Sequence, residues 1–449
     1  MQKLFQSPLR LFIIILSLKI LFVVGVVFFF GADRLLWGDA HLYIDIGNNI
    51  FSGNGFSSTS SDGTFYPNIL RTPIYPAIIG FFSTFFTHGL IIVALVQAVI
   101  ASAAAILIYL IGRFFLSPGF ALLPALLFSF EPLLSVLHVL ILPGTLHLFF
   151  ILAFTYFFLC FLEGNKWQYI IFASVALGIS VLVKPISVYL FVVPVGIMLF
   201  YKKAWKQSFI FLGLFFLLLS PWIVRYHAVT GSFGVSANDS NNICGWGLGG
   251  VLAMEHRIDS SNWAEIWGTE NYSSVSARCT SNSEAVYLFL TEYPTAFIKT
   301  MALAAFSLLT NEGYTVLFEK PSDEQIKIHH NYLTPAVLTN TDWQQKVMAA
   351  WQEFSWAEKT IIIAGKIFWM VILIAAILGV FFLLKNRTTR MTGLLFFLMV
   401  GYFVGTIVVS TAFGVSARLR HPIDPYLLML ASYGIYYGAG REKSQNNSI

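Results

Sequence analysis

The chain has 449 residues, 57% of them hydrophobic, 16% aromatic and only 11% charged, whereas soluble domains carry roughly 25% charge. That composition excludes an ordinary soluble protein and points to the bilayer. The formal net charge of +5 is spread over short loops, so it reports orientation and argues against a nucleic-acid partner.

Apolar runs such as "LFIIILSLKILFVVGVVFFF" and "TIIIAGKIFWMVILIAAILGVFFLL" match the roughly 17 to 25 residues that cross a bilayer as a helix. Alternation over about ten residues, the mark of membrane strands, is not seen. The expected fold is therefore an all-α polytopic membrane protein of about 10–12 transmembrane helices. In chain order, Leu11 to Phe30 forms the first span; no small-residue cleavage site follows it, which argues against a cleavable signal peptide. Next comes "WGDAHLYIDIGNNIFSGNGF", with acids at Asp39 and Asp45, His41, and glycines at 47, 53 and 55. No lipid-buried segment has this character. The following run "TPIYPAIIGFFSTFF" is short for a span, and counting it as one breaks the charge parity. Either it is partly inserted or re-entrant, or the charge reading fails nearby. Further spans are expected over 90–112, 119–138, 140–162, 167–183, 185–201, 208–226, 360–384, 391–413 and 422–438. Pro294 to Phe318 is also apolar, with both flanks expected outside, and reads as an interfacial helix or a hairpin.

Basic residues cluster at Lys3 and Arg10, at Arg113, at Lys202, Lys203 and Lys206, at Lys385, Arg387 and Arg390, and at Arg441 and Lys443. The positive-inside rule puts these in the cytoplasm. Gly31 to Arg71 and the long segment from about His227 to Lys359 then lie outside. This divides the chain into an N-terminal transmembrane module (1–226, with its first outer loop at 31–71), an outer region (227–359) and C-terminal spans with a tail (360–449). Cys160 lies in an apolar run and reads as a packing residue, while Cys244 and Cys279 share the outer region and are expected to pair in an oxidising compartment. "GWGLGG" at Gly245 to Gly250 also lies outside, where a nucleotide-phosphate loop is not expected.

Several cations stand at the outer ends of spans: Arg71, Lys184, Arg225, Arg418, Arg420 and His421. Each alone could snorkel to headgroups. Together, on the side poor in cations, they suggest a pocket for an anionic lipid headgroup, with phosphate the natural ligand of Arg and Lys. Asp39 directly follows the first span, where it can act as a general base, cap a helix over Ala40 to Ile50, or both. Asp45 is a weaker candidate. His41, with no second His or Cys nearby, is a poor metal ligand.

The order of "GDAHLYIDIGNNIFSGNGF", "RTPIYPAIIGFF", "LVKP", "SPWIVRYHAVTG" and "RLRHPIDPYLLML" resembles the GT-C superfamily of membrane glycosyltransferases, in the bacterial branch related to protein O-mannosyltransferases and lipid A aminoarabinose transferase. The resemblance runs from about residue 10 to 438. It implies an inverting transfer of a hexose or pentose from a polyprenyl-phosphate carrier, at the outer face of the cytoplasmic (inner) membrane, by a multi-pass protein. Asp39 matches the family's base. Lys184 and the Arg418, Arg420 and His421 element match its basic residues before Pro, and Arg71 and Tyr75 occupy its element after the first loop. Arg225 is expected with those cations on the carrier phosphate, and Tyr43 and Asp45 with Arg71 and Tyr75 on the substrate. No metal is required, although some members use a divalent ion. The acceptor could be lipid, glycan or protein. One departure stands out: where relatives often carry a Glu, this chain has Gly144 in "ILPGTLHLF", with Glu131 and His138 as possible substitutes. A flippase for a polyprenyl-linked glycan and a non-catalytic assembly subunit are the competing readings. Midplane polar residues and internal repeats would favour the flippase.

Overall fold

The computed structural model describes residues 7–258, 263–317, 343–352 and 354–438. The terminal cations Lys3, Arg441 and Lys443 lie outside the described residues. The first apolar run folds as a single helix, α1 (Pro8–Phe30). Pro8 opens it, where a missing N–H costs nothing, and Gly31 closes it at φ 82°. The polar stretch that follows forms α2 (Ala40–Phe51) and a short antiparallel hairpin, β1 (Ser57–Thr59) with β2 (Phe65–Pro67), Ser58 opposite Tyr66. The short run after it is one helix, α3 (Ile74–Phe85).

Helices α2 and α3 touch backbone to backbone. A Cβ on Gly47 would stand 2.6 Å from the Pro76 oxygen and 2.7 Å from the Gly80 nitrogen, and one on Gly80 would collide with the Gly47 backbone. Then come α4 (Gly89–Gly112), α5 (Pro118–Phe130), α6 (Pro132–Leu137), α7 (Gly144–Gly164), α8 (Trp167–Val183), α9 (Val192–Phe200) and α10 (Trp205–Thr230).

The span expected over 119–138 is broken. Pro132 cannot donate a backbone N–H and drives the residue before it out of helical geometry, so Glu131 is extended (ψ 129°) and its carboxylate accepts from Leu134 N at 2.7 Å, restarting the chain as α6. The expected 185–201 span is likewise shortened. It begins as a 3-10 turn at Pro185–Ser187 and becomes helical only at Val192.

The rest of the chain contains α11 (Asn238–Asn242), a π-turn over Ile243–Gly247, α12 (Leu248–His256), α13 (Trp263–Gly268), α14 (Glu270–Ser276), α15 (Asn282–Tyr287), a second π-turn over Leu288–Glu292, α16 (Pro294–Thr310), α17 (Trp343–Gln352), α18 (Trp356–Lys385), α19 (Arg390–Thr411) and α20 (Asp424–Gly438). Pro294 to Thr310 is thus one helix, not a hairpin.

Among the described residues six helices, α1, α4, α7, α10, α18 and α19, are long and apolar enough to cross a membrane. The spans expected over 119–138, 167–183 and 185–201 contain shorter apolar helices, and the one expected over 422–438 is the 15-residue α20. This is an all-α polytopic membrane protein.

Two compact units divide the chain: 1–236 with 374–399 and 424–449, and 237–373 with 400–423. In the first, α7 packs against α4 and α8, α10 against α8, and α1 against α4. One of its cores joins Val23, Leu35, Ala40, Tyr43, Tyr75, Ile79, Ile141, Leu146 and Val183. In the second, Leu248, Val251, Leu252, Leu288 and Phe289 form a core, stapled by a disulfide between Cys244 and Cys279 with Cα atoms 5.6 Å apart. The sequence reading anticipated that bridge.

Candidate active site at the first polar loop

Asp39 occupies the N-cap position of α2, and its carbonyl accepts from the amides of Leu42 and Tyr43. Its side chain does not cap the helix. Instead Oδ2 pairs with Nη2 of Arg71 at 3.2 Å, with the Asp39 side chain 52% exposed and that of Arg71 15%. Of the two roles open to Asp39 in the sequence, side-chain capping is not the one it adopts. The carboxylate is left accessible and oriented.

A chain of contacts beneath holds that pair in place. The Arg71 guanidinium lies 5.3 Å from the Tyr43 ring centre, a cation–π distance. Tyr43 meets Tyr75 edge to face at 5.3 Å. The Tyr75 hydroxyl donates to Oε1 of Gln97 at 2.6 Å, and Gln97 Nε2 donates to the carbonyls of His138 (3.1 Å) and Leu140 (2.8 Å). Sequence reasoning missed Gln97. Its signal was a lone amide within the apolar α4, a residue type that must find partners once buried.

Asp45 serves the loop. It accepts from Thr59 N at 2.9 Å and Thr59 Oγ1 at 2.7 Å, clamping β1 onto α2. Arg225 does likewise from α10, donating to the carbonyls of Phe56 (2.8 Å) and Asn68 (3.1 Å) while lying against the rings of Phe56 and Trp222. Asn68 Oδ1 accepts from the amides of Leu70 and Arg71, and Ser236 donates to the Leu70 carbonyl. The segment carrying Arg71 is therefore tied down on three sides.

Lys184 ends α8 in an extended conformation (φ −151°, ψ 120°), as expected before Pro185. Ser187, two residues beyond that proline, hydrogen-bonds the buried His147 Nε2 at 2.7 Å, which fixes the turn. Val183 packs in the same core as Ala40, Tyr43 and Tyr75. Asp39 and Lys184 thus flank one buried cluster from two elements.

Arg418, Arg420 and His421 belong to the second unit. Arg420 is fully buried. Its Nη1 donates to the carbonyls of Leu308, Leu309 and Asn311, and its guanidinium lies 3.7 Å from the Trp369 ring centre. It therefore caps the carboxyl end of α16, where helical carbonyls lack internal partners. Arg418 is half-buried on the same 3-10 turn, Ala417–Arg420, and His421 is buried just after it. Nearby, Glu312 and Lys366 form an ion pair at 2.6 Å.

Neither substitute for the absent Glu stands open. Glu131 caps α6, and His138 Nδ1 lies 2.9 Å from the buried Lys19 ammonium. His41 is exposed, and among the described residues no group of three or more His, Cys, Asp or Glu side chains could hold a metal.

Residues 70–224 match the family model of dolichyl-phosphate-mannose-protein mannosyltransferases. That segment contains Arg71, Tyr75, Gln97 and Lys184 but not Asp39. The whole chain resembles the apo oligosaccharyltransferase of Archaeoglobus fulgidus, with a TM-score of 0.52 at 14% identity, covering 97% of this chain and 52% of that one. This chain thus spans about half the length of that enzyme. ArnT from Cupriavidus metallidurans bound to undecaprenyl phosphate is a more distant likeness, with a TM-score of 0.41 at 13% identity over 94% of this chain and 78% of that one. No curated protein matches the chain by sequence. Residues 70–224 are thus similar to that mannosyltransferase family, and the chain as a whole shares the fold of the archaeal enzyme.

Proposed function

We propose that the protein transfers a sugar from a polyprenyl-phosphate carrier to an acceptor hydroxyl at the outer face of the cytoplasmic membrane. The observation that carries this reading is the Asp39 carboxylate, accessible and held by Arg71, on the same buried cluster as the turn that presents Lys184. The matched family, named for a dolichyl-phosphate sugar, supports the carrier class.

In this scheme Asp39 takes the proton of the acceptor hydroxyl as its oxygen attacks the anomeric carbon. The bond from that carbon to the phosphate oxygen breaks on the opposite face, and the carrier phosphate leaves with the electron pair. Configuration inverts. Lys184 stabilises the charge gathering on the leaving phosphate, and Arg71 orients the base. Arg225 supports Arg71 by holding the carbonyls of Phe56 and Asn68. The scheme runs without a metal ion.

The test is to supply purified protein with a synthetic polyprenyl-phosphate sugar of known anomeric configuration and analyse the product. Transfer with inversion, unaffected by a chelator, is expected. Retention would contradict the single-displacement scheme, and translocation of the carrier without glycosidic bond formation would favour a flippase.

A further inference from the structure

Outside the loop site, the second unit carries a groove that the transfer scheme leaves unused. It is lined by Arg278, Ser283, Glu284, Tyr287 and Leu288 and encloses about 360 Å³. Its walls are fixed. Cys279, next to Arg278, is bonded to Cys244. Tyr287 ends α15 where the chain enters the π-turn Leu288–Glu292, an uncommon geometry that often marks functional positions. Leu288 is buried at 2% exposure, whereas the Tyr287 ring is 62% exposed.

The charges lining the groove are already matched. Both terminal nitrogens of Arg278 donate to the two oxygens of Glu292 at 2.8 Å, a bidentate fork that also lowers the Glu292 pKa. Glu284 Oε2 accepts from Thr280 N and Oγ1, each at 2.7 Å, and these bonds lower its pKa, so it stays ionised. A phosphate would meet an arginine already engaged and a second carboxylate, which disfavours an anion.

A sugar ring suits the lining. Its C–H face can lie on Tyr287, and its hydroxyls can donate to Glu284 and exchange hydrogen bonds with Ser283 and the remaining Arg278 N–H groups.

We propose that this groove binds a neutral carbohydrate. Tyr287 supplies the stacking face, Glu284 and Ser283 fix the hydroxyls, and the Arg278–Glu292 fork holds the rim.

The test uses the full chain in lipid nanodiscs, with neutral tri- and tetrasaccharides of glucose, mannose and N-acetylglucosamine as probes. Saturation-transfer NMR reads contact with their ring protons. At least one series should bind the wild type, bind roughly tenfold more weakly to Tyr287→Ala, and bind undiminished to Tyr287→Phe and Asp39→Asn. The exposed position of Tyr287 keeps the fold out of question. No binding by any probe, or equal binding by Tyr287→Ala, overturns the proposal. Binding with this pattern in a protein that transfers no sugar supports the carbohydrate groove and removes only the transferase reading.

Discussion

Asp39 and Arg71 are 32 positions apart in sequence and 3.2 Å apart in the structure. Both stood out in the sequence, yet their pairing did not, because it depends on how the intervening helix and hairpin fold back. Arg225 illustrates the same limit. Its place at the end of a span suggested phosphate binding, whereas its guanidinium holds the carbonyls of Phe56 and Asn68. Arg225→Leu should therefore lower turnover by loosening the Arg71 segment, while Arg225→Lys, keeping the charge but not the planar fork, should restore little of it. Loss of the two charge-assisted bonds should cost about 1.5 to 3 kcal/mol, measured as a drop in thermal stability. Full activity and stability in both variants would show that the anchor does not matter. Gln97 and His147 were legible only as single polar residues in apolar surroundings, with no hint of which backbone or hydroxyl they would meet.

At the level of elements, apolar length located the long spans well because a helix must satisfy its own backbone in lipid. It overran at Pro132 and Pro185, where local backbone chemistry prevails over hydropathy. The approach of α2 to α3 depends on Gly47 and Gly80. Gly80→Val should force the helices apart and cost about 1 to 3 kcal/mol as an overpacking change, with transfer falling along with thermal stability. An unchanged melting temperature would mean that the helices separate freely. In the second unit, burial pushes Asp239 up from its usual 3.8 to about 6. A carboxyl with a raised folded-state pKa imposes a penalty that is absent below pH 4, grows through the interval up to 6, and is full above it. Asp239→Asn should thus raise the melting temperature at pH 7.5 by a few degrees, and the gain should vanish as the pH falls toward 4. A gain that persists at low pH would assign the effect to something other than ionisation.

For the molecule as a whole, 57% hydrophobic residues and 11% charge were enough to read a membrane protein, and the length of the apolar runs, without strand-like alternation, made it all-α. The disulfide was legible because two cysteines shared one polar region. The groove at Tyr287 was not, since its residues read as unremarkable surface until α15 and the following π-turn bring them together. The central claim is that Asp39 is the base. Asn preserves its size, so Asp39→Asn should leave carrier binding intact while transfer from a synthetic polyprenyl-phosphate sugar falls roughly a hundredfold or more, the usual weight of general-base catalysis. Near-normal transfer by Asp39→Asn would contradict it.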